Sequence, residues 1–236
     1  MEMFDEISIN STISNQSHNE MESILFFDEG DYQSLSNYDE YQLLVNNVIS
    51  SVNLGKNLNL KNIALKIKNA EFSNNKLTLS SKSKNRNKIA TIFSSGKMII
   101  SGAKTEKEAK NLSIKFSKIV NKAGGNVEFK DYQIQNIICS YDVKFKLSIN
   151  KLYNQINEMI NNYKKLNYNI NDYCKMEENF FRGVIYYSDS TKITVVIYES
   201  GKISISGAKS RKNIEEIFKN IYPLLVESKQ IIDSFC

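Results

Sequence analysis

Histidine is almost missing from this chain: His18 is its only one. It sits in a strongly acidic N-terminal stretch, so catalysis built on a histidine base has no support. The signatures HExxH, CxxC pairs, GxSxG and GxxxxGK[ST] do not occur either, which argues against an enzyme. The cysteines are Cys139, Cys174 and Cys236, an odd number at unrelated spacings. That excludes a disulfide framework or a zinc site and fits a reducing compartment. Neither metal nor cofactor is expected. No run of 18 apolar residues is present, so no transmembrane helix and no membrane partner are predicted. The opening MEMFDEISIN lacks the basic and apolar regions of a secretory signal. Proline occurs once, at Pro223, while Asn, Ile, Lys and Ser abound, the bias of an AT-rich genome.

What is present is unevenly charged. Residues 1–40 hold ten acids and no Lys or Arg; the remainder holds all 31 bases and 16 acids, a net of +15. An acidic tail on a basic body is the asymmetry of a nucleic-acid-binding surface, and equally of a lysine-rich protein with a solubilising tail. The tail reads as disordered. Its ILFFDEG and NYDEY stretches carry a sharper expectation, that its acids and Phe26-Phe27 mimic nucleic acid and cover the binding surface.

The chain repeats a phrase. FSSGKMIISGAK at 93–104 returns as YESGKISISGAK at 198–209, with eight of twelve positions identical. NNVISSV at 46–52 likewise matches QNIICSY at 135–141, aligning Asn47 with Asn136. The offsets, 105 and 89 residues, differ by 16, and the extra residues fall in 151–179, read as an elongated helix and loop. A period this long indicates duplication rather than a solenoid. The boundaries are a tail at 1–40, a first unit at 41–128, a second at 129–230 with its insertion, and a C-terminal tail at 231–236.

Each phrase reads as a β-hairpin with a Gly turn. Gly96, Gly102, Gly201 and Gly207 fit hairpin turns and strand-to-helix junctions. Each SGAK leads into an amphipathic helix, with Ala109, Leu112, Phe116, Ile119, Val120 and Ala123 as the first stripe and Ile214, Ile217, Phe218, Ile221 and Leu225 as the second. LNLKNIALKIKNAEF, at 58–72, reads as a short helix feeding a strand. Segregated strands and helices argue for an α+β fold with an antiparallel sheet. Strand alternation then exposes Ile49, Ile99, Ser101 and Ile138 together on the face away from the helices.

Five collinear blocks carry a family resemblance over about residues 41–230: VNLGKNLNLKNIALKIKNAEF, IFSSGKMIISGAK, FKDYQIQNIICSYDVKFKL, YESGKISISGAK and IFKNIYPLL. With them the sequence resembles the TATA-box-binding protein family. The resemblance implies a pseudosymmetric saddle: a curved ten-stranded antiparallel sheet with four helices on its convex face. It implies a general transcription initiation factor that binds AT-rich promoter DNA through the minor groove and nucleates preinitiation-complex assembly. Family members are known to insert apolar side chains between base steps and to bend the duplex by about 80°.

Carried over residue by residue, the resemblance assigns Asn47 and Asn136 to the acceptors at the centre of the groove. Ile49, Ile99, Ser101, Ile138 and Ser206 go to the groove floor. Lys97, Lys104, Lys192, Lys202 and Lys209 go to phosphates, which supply affinity without sequence information. Of the family's four phenylalanine wedges, Phe93 and Phe181 match, Tyr198 takes a third place and Leu77 the fourth. Ser204 stands for a usual Val and Tyr187 for a usual Arg. Glu177 matches the first acid of an acidic pair for transcription factor IIB, Asn179 stands at the second, and Glu178 lies between them as a further acid of that surface. Lys110, Lys115 and Lys122 match a basic patch for transcription factor IIA and negative cofactor 2. The resemblance further implies self-association without DNA, and a nuclear location, or a cytoplasmic factory if a large DNA virus encodes the chain. The substituted wedges keep a second reading open, a paralogue or interaction module that works through protein partners.

Overall fold

The computed structural model describes residues 42–68, 70–83, 86–166 and 171–230; the proposed acidic cover and the C-terminal tail lie outside them. The chain order is strand, helix, four strands, helix, given twice. The first unit has β1 (Leu44–Asn53), α1 (Leu60–Ala64), β2 (Ala70–Ser73), β3 (Lys76–Ser83), β4 (Arg86–Phe93), β5 (Lys97–Ala103) and α2 (Glu106–Lys122). The second has β6 (Lys130–Asp142), α3 (Ile149–Lys165), β7 (Tyr173–Glu177), β8 (Gly183–Ser188), β9 (Ile193–Tyr198), β10 (Lys202–Ala208) and α4 (Arg211–Glu227). The inserted residues lengthen α3 relative to α1, and β7 also falls inside the 151–179 window.

All ten strands form one sheet in the order β2-β3-β4-β5-β1-β6-β10-β9-β8-β7. The order is symmetric about the β1–β6 seam, where the two units meet antiparallel. Within the seam Asn47 faces Ile138 and Ile49 faces Asn136, on either side of Val48↔Ile137. That reciprocal pairing marks the pseudo-two-fold axis.

Alternation decides which side chains are covered. In β4 and β5, Ala90, Ile92, Met98 and Ile100 are buried; in β9 and β10, so are Val195, Ile197, Ile203 and Ile205. These pack beneath the helices, with Phe116 and Val120 of α2 over the first unit and Phe218, Ile221 and Leu225 of α4 over the second. The Phe218 ring stacks on Tyr141 at 3.7 Å between centroids. Each of the larger of these side chains contributes roughly 1.5–3 kcal/mol by leaving water, and Ala90 less. The apolar stripe carries α4 past Pro223, which lies inside the helix and donates no backbone hydrogen bond.

Each helix that follows an SGAK starts at a hydroxyl cap. Thr105 accepts from the Glu108 N–H and Ser210 from the Asn213 N–H. Glu108 reaches back one residue beyond the cap and accepts from the Lys104 N–H at 2.7 Å, which ties the chain before the helix to its first turn. Its carboxyl is held below the ordinary value by its hydrogen bond with Lys88, 2.5 Å away.

Candidate nucleic-acid interface

The helices cover one face of the sheet and leave the other open. The open face is built from alternate residues of every strand, and all of Asn47, Ile49, Ile99, Ser101, Asn136, Ile138, Ser204 and Ser206 are half-buried there. Thr91 and Val196 share this face and were not predicted; the alternation of their strands was the signal that placed them.

At its centre, the two asparagines are held alike. Asn47 Oδ1 accepts from the Gly102 N–H at 2.8 Å, and Asn136 Oδ1 accepts from the Gly207 N–H at 2.7 Å. The available donors come from a break in the ladder. Between β1 and β5, two residues of β1 span three of β5, and β10 has the same extra residue against β6. Each bulge falls at a Ser-Gly pair, with φ of 96° at Gly102 and 100° at Gly207. A bulge frees one N–H from the ladder, and the asparagine side chain takes it. At Gly207 an added Cβ would stand 2.2 Å from the Lys192 carbonyl oxygen. Gly102 and Gly207 are therefore bulge residues rather than strand-to-helix junctions; Gly96 and Gly201 are hairpin turns, as predicted.

Because each Oδ1 is occupied by a donor, each Nδ2 is turned to the open side as a pure donor. Among the described residues neither Nδ2 has a partner. Two amide donors over an apolar, hydroxyl-studded floor suit a surface of acceptors.

At the second end of the face the Phe181 and Tyr198 rings lie 4.9 Å apart at 48°. Tyr187, on the same face, stacks on Tyr173 at 5.2 Å. At the first end, among the described residues, Phe93 has no ring stacked on it. Leu77 does not fill the wedge position: it is fully buried in the core under the helices, across from Ile92. The residue across from Phe93 is Lys76, whose Nζ is 5.5 Å from the ring centroid. Spacing alone could not decide between two adjacent residues; strand register does.

The lysines divide. Lys97, Lys202 and Lys209 are exposed, and Lys192 is exposed but ion-paired with Asp189 at 2.6 Å. Lys104 is turned inward, its Nζ donating to the Val45 carbonyl at 3.1 Å, which takes it away from a phosphate position. Glu177 also departs from expectation. It is buried and accepts from the Asn179 and Phe180 N–H groups of its own loop, and the Asn179 bond leads in holding its carboxyl below the ordinary value. Glu178 stays exposed next to Phe180, which is 91% exposed. Lys110, Lys115 and Lys122 are exposed along α2, where Ile114 and Ile119 line a shallow groove among lysines.

Among the described residues the two cysteines are not activated as nucleophiles. Burial pushes the Cys139 and Cys174 thiols up to about 12, so neither is a thiolate near neutral pH. Among the described residues no cluster of His, Cys, Asp and Glu could hold a metal ion.

Three comparisons bear on this arrangement. The family described as "Transcription factor TFIID (or TATA-binding protein, TBP)" matches residues 42–123 and 131–228. The chain is similar to the TATA-box-binding protein of Tetrahymena thermophila, at 39% identity over 180 residues, 76% of this chain and 68% of the relative. It is 38% identical over 186 residues to TATA-box-binding protein 1 of Arabidopsis thaliana, covering 78% of this chain and 86% of the relative. Among solved structures, the Methanococcus jannaschii protein of this kind superposes with a TM-score of 0.63 at 25% identity, over 80% of this chain and 99% of that one.

Proposed function

The chain belongs to the TATA-binding protein family, whose members are non-enzymatic DNA-binding transcription factors, and from that premise we propose that its open face binds the minor groove of AT-rich promoter DNA. The observation that carries this is the pair of asparagine amides locked as donors about the pseudo-two-fold axis. In the minor groove, A·T and T·A pairs present only the acceptors N3 and O2, whereas G·C adds a guanine amino donor. A donor pair at the centre thus accepts A·T in either sense and rejects G·C. The Phe181–Tyr198 end supplies the wedge that unstacks a base step and bends the duplex, and the exposed lysines around the face neutralise phosphates. Bound this way, the protein acts in the nucleus as a platform for initiation. Glu178 and Phe180 offer a surface to a factor of the IIB kind, and the α2 lysines one to a factor of the IIA or negative-cofactor kind.

The test is an anisotropy and energy-transfer titration of the protein with a TATA duplex and a GC-substituted control at several salt concentrations. Tight, salt-sensitive, TATA-preferring binding with bending is the expected result. Equal, weak binding to both duplexes without bending would instead favour a saddle kept for protein partners, a reading to which the inward turn of Lys104 lends support.

A further inference from the structure

The two ends of the open face are built by equivalent strands of the two units but not by the same chemistry. In the second unit, Glu177 pairs with Gly183, and the five residues 178–182 form the loop between β7 and β8. That loop is long enough to fold Phe181 back over Gly183 onto Tyr198. Gly183 permits this: an added Cβ would lie 3.0 Å from the Phe181 ring and 2.4 Å from the Ile197 carbonyl oxygen. In the first unit, Ser73 pairs with Lys76 and only Asn74 and Asn75 lie between. Both have positive φ, 49° and 58°, as a tight two-residue hairpin requires. A loop shortened by three residues carries no ring. Lys76 faces Phe93 across the ladder where Gly183 faces Tyr198. It is exposed, and among the described residues no carboxylate pairs with it.

We propose that Lys76 makes the two ends of the DNA-binding face unequal, so that an AT-rich duplex is unstacked at the Phe181–Tyr198 end and held by its phosphates at the Lys76–Phe93 end. This rests on the DNA-binding reading above. A wedge must be apolar, because it replaces base stacking with ring or methyl contact. A lysine ammonium is compact and strongly hydrated, so it stays outside the step and finds the backbone. With its ammonium over Phe93, it also occupies the ring face that a base would need. The second end is richer in rings again through Tyr173 and Tyr187. The demand on the duplex is therefore one-sided. A flexible pyrimidine–purine step is needed beneath the two rings, and a stiff step is tolerated beneath Lys76. That demand orients the protein on a site.

The experiment uses the full chain and a duplex with a TA step at one end of an A-tract and an AA step at the other. 2-Aminopurine is placed in turn at each end, and its fluorescence reports unstacking. A signal at the TA end at least threefold above that at the other end is expected. Phe181→Ala should abolish it, and Lys76→Ala should lower the log–log salt slope of binding by about 0.9, one phosphate contact. Lys76→Phe should add a signal at the second step. Equal signals at both ends, or a salt slope unchanged in Lys76→Ala, would overturn the inference alone, leaving the DNA-binding reading intact. Loss of preference for the AT-rich duplex over a GC-substituted one would overturn that reading and this inference with it. Lys76 is exposed, so melting curves of its variants should match the parent's and separate binding from folding.

Discussion

Asn47 accepts the backbone N–H of Gly102 through its side-chain oxygen, and that bond decides which end of the amide meets the open face. The same is true of Asn136 and Gly207. A bulge, a glycine and an asparagine thus form one unit, used twice.

Asn47→Asp separates the fold from the binding. The aspartate keeps an oxygen for the Gly102 N–H, so the melting temperature should stay within a few degrees of the parent's. The Nδ2 donor is lost and a negative charge enters the groove face. Affinity for a TATA duplex should fall by at least tenfold, about 1.4 kcal/mol, measured by anisotropy. Affinity within twofold of the parent's would remove Asn47 from the interface.

Gly207→Ala should act on stability. The residue has a φ of 100°, and its new Cβ would meet the Lys192 carbonyl. Strain of this kind costs roughly 1–3 kcal/mol, before the carbonyl contact is counted. Chemical denaturation should show a lowered midpoint with an unchanged slope.

Leu77→Ala and Lys76→Ala, neighbours in sequence, should have opposite signatures. Leu77 is fully buried among core residues, and truncating such a leucine costs about 2–5 kcal/mol. The folded fraction should still bind DNA as the parent does. Reduced DNA affinity at unchanged stability in Leu77→Ala would restore Leu77 as a wedge.

Among the other lysines, salt dependence should sort roles. Lys97→Ala and Lys202→Ala should each reduce the log–log slope by about 0.9. Lys104→Ala should leave it unchanged, since that ammonium is spent on the Val45 carbonyl.

Acid should weaken the start of α2. Glu108 has a folded pKa below its ordinary 4.5, first through its hydrogen bond with Lys88. A depressed carboxylate pKa adds stability that is present above the unfolded value and is lost as pH falls through the folded one. Melting temperature should therefore drop as pH is lowered through and below about 4.5. Glu108→Gln should be less stable than the parent at neutral pH and show a smaller drop in acid. Parallel curves for the two proteins would assign the acid sensitivity elsewhere.

The duplication, the antiparallel sheet, the helix stripes and the exposure of Ile49, Ile99, Ser101 and Ile138 were legible in the sequence. The duplication shows in the repeated phrases, and the rest follow from local periodicity, which is written residue by residue. The fourth wedge was not. Leu77 and Lys76 differ by one position, and one position moves a side chain to the opposite face of a strand. The inward turns of Lys104 and Glu177 were likewise hidden, because their partners, the Val45 carbonyl and the N–H groups of a loop, are backbone atoms that no side-chain pattern announces.

By itself, the sequence determined that two similar units each combine antiparallel strands with amphipathic helices and leave one sheet face free, since hydrophobic alternation and helical spacing are local properties; the single sheet was implied by the family resemblance and is seen in the strand order. Only the tertiary structure decided which groups that face offers. The Gly102 and Gly207 donors exist because paired strands differ by one residue at each bulge. The unequal ends exist because one loop is three residues shorter than its counterpart across the molecule. Both depend on the register of one strand against another, which arises only when distant segments meet.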